Sequence, residues 1–575
     1  MPNSDVFEIA VIADGYALAD AGRYADAIQV FEKGNVAPAS GSPANTVLGK
    51  CYYLTGQYQK ALDHLDQAIS ERGADVEPRL LKVSLLRDVG RNTEALRQAL
   101  ALRDLQGGDH FEVLKLIVDL LARVEEETHT QAAAASVRDM KPFSRLKARL
   151  KQMRLEGRAR RIIMSKTAPP ELQILYLQKR GDAKLAKRKL EAAGDELERR
   201  GALSKIMSVE AYAGQSGDSF LFRGDPDRIY FSNVGDWREN EDLGGTWIEG
   251  NPAYLAALHD VTVSARSNFV FGRKGELISD SYAHPLYGSF VDRCGEASLL
   301  LEIEQAVLLH RKPVTRSVDR AIHLCGFASG HYGHWFSEYL PKLRHFEKLA
   351  DFSCIPILVN DDMPPTHFEF LSAVCDNPLI RLLPDDEVKV RQLLVAPTIT
   401  FYPFALLPGH KVPEIAQASW SAPAFSYLRD RVFARLNLPE RERRAIYLSR
   451  KNSTWAKVIN ESALERALIA IGVEPVRLEE MSFIEQVACI RNADLIVSHT
   501  GSALNSVVFA SAETPVIVFT HAPTHNWGGW LGPLNELGFD PKFHLVPIEE
   551  TDKKHVNMEF DVADIIASVQ AIREK

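Results

Sequence analysis

Positions 330–343 read Gly-His-Tyr-Gly-His-Trp-Phe-Ser-Glu-Tyr-Leu-Pro-Lys-Leu, a concentration of side chains that can do chemistry. His331, His334, Trp335 and Glu338 fall in the first turns of a predicted helix whose apolar side includes Phe336, Tyr339, Leu340 and Leu343. An imidazole and a carboxylate four residues apart share one helix face, where the pair can accept and hold a proton. The apolar run Ala321–Gly326 precedes them. A strand that ends in small residues and runs into a helix is where α/β proteins place ligands. The same letters also fit a helix start with satisfied polar caps. His331 and His334, three apart, have the spacing of metal ligands, but no third and fourth ligand accompany them.

A second group lies further along. Tyr447-Leu-Ser-Arg-Lys451 puts two cations, Arg450 and Lys451, directly after a predicted strand, and Lys457, Asn460 and Glu461 follow just before a helix. Ser498-His-Thr-Gly-Ser-Ala-Leu-Asn505 runs from a strand end into a helix start. Gly501 lets the backbone come close to a ligand. The N–H groups of Thr500, Gly501, Ser502 and Ala503 would point outward, and a helix N-terminus attracts anions. With Arg450 and Lys451 they form a candidate diphosphate clamp. Plainer readings stand beside this one: Asn460, Thr500 or Ser502 as helix caps, and Ser482-Phe-Ile-Glu485 as a capping box. His525-Asn-Trp-Gly-Gly-Trp530, with Trp527 inside it, could stack on a sugar or a base, or pack a core.

The chain that must position these groups has 575 residues, enough for three or four domains at about 100–200 residues each. A net charge of −8 argues against a nucleic-acid binder. The six cysteines are scattered and form no CxxC pair, which favours free thiols in a reducing compartment. The first residues lack a basic stretch followed by an apolar core, and no apolar run approaches the roughly 20 residues that span a bilayer. A cytoplasmic protein is expected, with contact to the inner face of the membrane as an option.

Three segments repeat with a fixed step. Gly22, Gly56 and Gly90 are 34 residues apart, as are Ala27, Ala61 and Ala95, and Ile28, Leu62 and Leu96. That is the period of a tetratricopeptide repeat, a helix–turn–helix unit with glycine in the turn and a small alanine where helices meet. The third copy departs, with Asn92 for tyrosine and Ala99 for Phe31 and Leu65. Such an array offers a concave surface for a partner protein, or serves as a spacer. Residues 1–106 are assigned to it. Residues 107–205 read as a helical connector. Within it, positions 141–166 carry ten Lys or Arg and one acid, Glu156, with Phe143, Leu146, Leu150 and Met153 on one side. This basic amphipathic segment suits an anionic membrane surface or a solvated face packed on its neighbours.

From about Ser208 strands and helices alternate, which implies βα units. Residues 206–422 and 423–575 are assigned to two Rossmann-like halves, linked through the Pro- and aromatic-rich stretch 400–423. A helix is expected at Ala297–His310. Ligands should lie between the halves, at the carboxyl ends of the strands.

The order His-Trp-x-x-Glu-x-Leu-Pro, Ser-Arg-Lys with Asn-Glu, Met-Ser-Phe-x-Glu-Gln, then Thr-Gly-Ser-Ala-Leu resembles the family-61 glycosyltransferases. The residues that carry it are His334-Trp335, Glu338, Leu340-Pro341, Arg450, Asn460-Glu461, Ser482-Phe483, Glu485-Gln486, Ala493, Gly501, Ala503-Leu504 and Phe509, within about Ser208 to Thr551. Lys457 stands where the family has arginine, and His499 and Asn505 are shifted by one place. The resemblance implies an α/β protein of GT-B fold, here behind an all-α tetratricopeptide-like region. It implies inverting transfer from a UDP-, GDP- or CMP-linked sugar to a glycan or protein acceptor, without a required metal or cofactor. In these terms His334 is the base and Glu338 its partner. Arg450, Lys451, Lys457, Asn460, Glu461, Glu485, His499, Thr500, Gly501, Ser502, Ala503 and Asn505 hold the donor, with Glu461 or Glu485 on the ribose hydroxyls. His331, Trp335 and Trp527 face the acceptor. Asp225-Pro-Asp227 is a literal Asp-x-Asp that reads as a turn between two strands. The rival is a non-catalytic adaptor with a degenerate sugar- or nucleotide-binding part. A dinucleotide-dependent oxidoreductase lacks its GxGxxG.

Overall fold

In the computed structural model the described residues are 13–19, 24–33, 43–106, 110–133, 142–232, 236, 238, 244–250, 252–280, 299–303, 306–398, 420–439, 442–451, 458–521, 528–546 and 558–574. The chain divides into two units, Met1–Leu203 and Ser204–Lys575.

The described elements of the first unit up to Arg199 are helices. Tyr24–Lys33, Ala44–Leu54, Tyr58–Glu71, Glu77–Asp88 and Asn92–Gln106 form successive antiparallel hairpins with the 34-residue step. Gly56 and Gly90 both sit at φ +77°, the left-handed turn conformation that glycine adopts without strain. Ala27, Ala61 and Ala95 are fully buried, so each repeat's helices approach closely at the same place. Gly22 lies outside the described residues. Helices Phe111–Ala133, Pro142–Ile163, Pro170–Lys179 and Ala183–Arg199 follow. The single connector run expected at 171–200 is two helices, broken at Gly181 with φ +83°. In the basic helix Ala159 and Ile163 are buried, while Met153 is 58% exposed. Its packed side is therefore not the one that the Met153 spacing suggested. Lys141 and the side chains of Phe143, Leu146 and Leu150 lie outside the description. Arg160 pairs with the buried Glu125 and donates to Tyr176 Oη at 3.1 Å.

The second unit carries the sheets. Its strands are β1 (Leu203–Met207), β2 (Ser219–Gly224), β3 (Arg228–Ser232), β4 (Gly245–Glu249), β5 (Ala253–Ser264), β6 (Val270–Phe271), β7 (Leu277–Ile278), β8 (Leu299–Ile303), β9 (Ala306–Leu309), β10 (Val314–His323), β11 (Ile357–Asn360), β12 (Leu379–Leu382) and β13 (Glu387–Val395). They continue as β14 (Arg444–Leu448), β15 (Val473–Val476), β16 (Ala493–His499), β17 (Val516–His521) and β18 (Lys542–Val546).

The front sheet runs β12-β11-β10-β13-β5-β6-β7-β1-β9-β8, with β2 on β5. β12-β11-β10-β13 form a parallel block and β1 pairs β7 parallel, while β5 joins β13 antiparallel. The first half is thus a mixed sheet and not a plain Rossmann copy. The helix expected at Ala297–His310 is the β8–β9 hairpin, with Leu301 opposite Leu308 and Ile303 opposite Ala306. Pairing across the hairpin overrides the helix preference of its leucines and glutamates. The rear sheet, β15-β14-β16-β17-β18, is parallel throughout. In its own numbering the order is 2-1-3-4-5, which reverses between β14 and β16.

The two sheets share one core. Phe336 packs edge-on or tilted against Phe370, Phe425 and Phe509, with ring centroids 5.4–5.9 Å apart. The β3–β4 hairpin leaves the front lobe to lie on helix Gly528–Glu536. There the Tyr230 carbonyl occupies the space that a side chain at Gly532 would need. Asp236 accepts from Leu545 N–H at 2.8 Å, and Arg238 pairs with Asp564 at 3.1 Å. Cys51, Cys325, Cys354, Cys375 and Cys489 are free thiols. Among the described residues no helix is long and apolar enough to cross a membrane.

Candidate active site

The reversal point of the rear sheet brings Arg450 and the 500–503 stretch together, because β14 and β16 are neighbours and both end there. Open α/β sheets bind ligands at this place. Arg450 donates from Nη1 to the Thr500 carbonyl at 3.2 Å. Gly501 has φ 167° and ψ 171°, an extended backbone that any residue adopts. Its role is space: a Cβ there would stand 2.6 Å from Arg450 Nη1. Ser502–Phe509 is a 3-10 helix whose first bond joins Leu504 N–H to the Gly501 carbonyl at 3.0 Å. The N–H groups of Ser502 and Ala503 lie ahead of that ladder, as an anion site requires.

Arg450 is held from behind. Glu461 is buried, and its Oε1 accepts from Arg450 N–H (2.7 Å), Tyr447 Oη (3.0 Å) and Ser449 Oγ (3.1 Å). Burial lowers the Arg450 pKa, and Glu461 opposes the shift. Arginine stays a cation in either case.

On the front lobe β10 delivers the chain to Gly326, where a Cβ would collide with Asn268 Oδ1 and Tyr339 Oη. Asn360, at the end of β11, donates to the Gly326 carbonyl (2.7 Å) and Ser329 Oγ (2.9 Å) and so shapes the loop before the site. The expected regular helix is a relay of short turns: α at Tyr332–His334, π at Trp335–Tyr339, 3-10 at Leu340–Lys342 and α again at Leu343–Phe346. Pro341 has no N–H to continue the ladder, and Leu340 N–H bonds to the Trp335 carbonyl. π turns inside helices occur frequently at functional sites.

His334 Nδ1 is 2.8 Å from Glu338 Oε1, with both side chains largely buried. A carboxylate only accepts, so Nδ1 carries the proton and Nε2 the lone pair. Burial alone would lower the His334 pKa; the charge and hydrogen bond of Glu338 win, and it lies above its ordinary value. The His331 ring meets the His334 ring edge-on at 5.1 Å. Surrounding protein and the charges of His334 and Arg450 lower the His331 pKa, so it is neutral at pH 7 although the residue stays exposed at the rim.

The two halves of the site touch. Tyr332 Oη lies 2.8 Å from Ser506 Oγ, and Asn505 Nδ2 donates to the Gly333 carbonyl at 3.4 Å. A Cβ on Gly333 would come within 3.0 Å of Ser502 Cβ, so the glycine sets how near the imidazole turn approaches the anion site.

Several expected ligand contacts have other duties. Trp335 is fully buried; it stacks on His367 and Tyr339 and donates Nε1 to the His367 carbonyl, so it supports the turn and cannot face an acceptor. Glu461 is committed to the Arg450 loop. Glu485 closes the capping box, accepting from Ser482 N–H (2.9 Å) and Oγ (2.7 Å). Asn460 stands at the N-cap of helix Glu461–Ala470, but its side chain makes no cap bond and instead exchanges two hydrogen bonds with the Phe560 backbone. His499 and Asn505 are buried, and His499 turns Nδ1 toward the Thr500 carbonyl at 2.9 Å. The two positions shifted against the family pattern are therefore interior ones. Lys451 is exposed, 3.6 Å from Glu465. Lys457, Trp527 and the linker from 401 to 419 lie outside the described residues. Asp227, of the Asp-x-Asp, pairs with Arg344 at 2.7 Å between β2 and β3.

Sequence reasoning missed Glu479. It stands just past β15, the strand beside β14, and is exposed; burial by its surroundings, then Glu480, raises its pKa, and its charge reaches Arg450. An acid after the second strand of such a sheet is the position that binds a ribose. The signal was Arg477-Leu-Glu-Glu480 directly after a strand.

The sequence model of one protein family, described as Glycosyltransferase 61, matches residues 332–517. That stretch is a glycosyltransferase 61 domain. It begins at the imidazole turn, ends after the anion site, and so contains both halves of the site. No curated protein matches the chain. Among solved structures, the second TPR domain of human RPAP3 in complex with an HSP70 peptide matches at 17% identity and TM-score 0.19, over 20% of this chain and 98% of that one. The first TPR of Spaghetti (RPAP3), bound to an HSP90 peptide, matches at 16% identity and TM-score 0.19, over 23% and 97%.

Proposed function

We propose that this protein is an inverting glycosyltransferase of GT-B type that moves a sugar from a nucleotide-sugar donor to a hydroxyl of a glycan or protein acceptor. One observation carries the reading: a cationic, N–H-lined anion site at the reversal point of a parallel sheet, in contact through Gly333 and Ser502 with a histidine–glutamate pair. The acceptor oxygen attacks C1 of the sugar while His334 Nε2 takes its proton. The C1–O bond to the diphosphate breaks, and Arg450 with the Ser502 and Ala503 N–H groups receives the developing charge. Glu479 takes the ribose hydroxyls, in place of Glu461 and Glu485. His331, neutral at the rim, contacts the acceptor.

The helical repeats supply a concave surface for a partner or a protein acceptor. A cytoplasmic location, with the basic helix toward the inner membrane face, fits this scheme. A non-catalytic adaptor, the alternative, would bind a nucleotide-sugar saturably without releasing nucleotide from it, whereas the transferase releases it with time.

A thermal-shift panel of UDP-, GDP- and CMP-sugars tests the donor site, because a ligand that binds the folded state raises the melting temperature. His334→Ala is expected to abolish transfer and leave nucleotide binding intact. Unchanged turnover in that variant removes His334 from the mechanism.

A further inference from the structure

A cavity of about 360 Å³ opens on the front lobe and contains none of the site residues above. It is within the range of about 300–1,000 Å³ that small-ligand sites occupy. Phe222, Asp225, Arg344, His345, Glu347 and Lys348 line it. Gly224 contributes by its missing side chain: a Cβ there would lie 2.6 Å from the Phe222 ring.

His345 is the telling group. It is 2% exposed, lines the cavity, and its Nδ1 has no hydrogen-bond partner. A buried polar atom left unpaired is costly, and this one adjoins a cavity in which a ligand can supply the partner. Arg344 is tied to Asp227 at 2.7 Å, and Glu347 to Tyr427 Oη at 2.8 Å. Asp225 and Lys348 are exposed at the mouth, and Lys348 Nζ rests 3.9 Å above the Phe222 ring. The lining holds two cations and two anions, with an apolar wall of Phe222 and Ala253. Such a surface has no preference for a charged ligand. It offers donors, acceptors and a face for C–H groups, the complement of a neutral pyranose.

We propose that this cavity is a second saccharide site, which takes a neutral pyranose unit. Its source rests on the transferase reading: a distal residue of the glycan acceptor. His345 follows His334 by eleven residues along one run of helical turns, a separation of roughly 17 Å at about 1.5 Å per residue. A few sugar units bridge that distance, so the site would hold the acceptor chain while its end lies at His334.

The test is saturation-transfer NMR on the full chain with methyl β-glucopyranoside, methyl β-galactopyranoside and methyl α-mannopyranoside. Methyl β-glucuronide and inorganic phosphate serve as charged probes. At least one neutral pyranoside should bind. The surface variant Asp225→Ala/Lys348→Ala should weaken it about tenfold, His345→Phe likewise, and His334→Ala should not. The inference is overturned if no neutral pyranoside binds, if binding ignores Asp225 and Lys348, or if a charged probe binds more tightly. Nucleotide-sugar shifts recorded on the same samples keep the two readings apart. Donor binding with no effect of the cavity variants sinks only the second site. Cavity binding with no donor response sinks only the transferase reading.

Discussion

Gly501→Ala isolates the anion site from the rest of the fold. The backbone there is extended, so alanine adopts it without strain. The new Cβ would stand 2.6 Å from Arg450 Nη1, nearer than atoms can pack. The tip of a long side chain yields before a strand end does, so the guanidinium should swing away. That breaks its 3.2 Å bond to the Thr500 carbonyl. The fold loses one hydrogen bond, at a cost of about 1 kcal/mol. The ligand loses a charged donor, and hydrogen bonds to charged groups contribute about 1.5–3 kcal/mol. Affinity for a nucleoside diphosphate should therefore fall about tenfold to hundredfold. Titration calorimetry with UDP, GDP and CDP measures it, with the melting temperature recorded on the same sample. An affinity within about twofold of the parent would show that Arg450 does not hold the diphosphate. A collapse of the melting temperature would show that Gly501 serves the fold instead.

Three further outcomes follow from the same geometry. His334 must be neutral to accept a proton, and Glu338 raises its pKa, so the rate should climb with pH through that raised value. Glu338→Gln should move this acid limb of the pH–rate profile to lower pH and reduce the plateau about tenfold to hundredfold; a limb that stays put dismisses Glu338 as its cause. Burial lowers the pKa of His323 and His499 to about 3 and of His345 and His367 to about 4. These rings stay neutral in the folded chain and charge only on unfolding below pH 6.5, so stability is lost as pH falls from there toward 4. At pH 5.5 the loss is about 1.4 kcal/mol for each, and on the order of 5 kcal/mol together. His334, with its raised value, offsets a small part. Calorimetric melting at pH 7.5 and 5.5 checks this, and equal stabilities would contradict it. In the helical repeats Gly90→Ala should cost about 1–2 kcal/mol, because φ is +77° and no atom lies near the added Cβ; an unchanged denaturant midpoint would refute the turn's requirement.

What could be read from the sequence was whatever repeats or is encoded locally. The 34-residue step survives in Gly56, Gly90, Ala61 and Ala95 because each repeat solves the same turn and the same close helix approach. The rear strands were legible because a parallel strand buried on both faces, such as Ala493–His499, is a short apolar run between turn signals. The β8–β9 hairpin was not: its leucines and glutamates favour a helix, and only its partner strand decides otherwise. The likeness of the two halves also failed to carry over, since nothing in the local pattern of β5 announces an antiparallel neighbour. At the site, the sequence named His334, Glu338, Arg450 and Gly501 by type and order. It could not tell that Glu461 and Trp335 face inward, because burial is set by residues far along the chain. Glu479 escaped for the opposite reason: its neighbours, Arg477 and Glu480, make it look like an ordinary charged surface.

The passage of β3 and β4 across to helix Gly528–Glu536 bears on how this molecule can be cut. A rear lobe produced alone, from residue 420 onward, would expose the groove at Gly532 that the Tyr230 backbone fills, and would leave Leu545 and Asp564 without Asp236 and Arg238. Neither half is then a natural unit for expression, because a ribbon of the front lobe is already stitched to both sides.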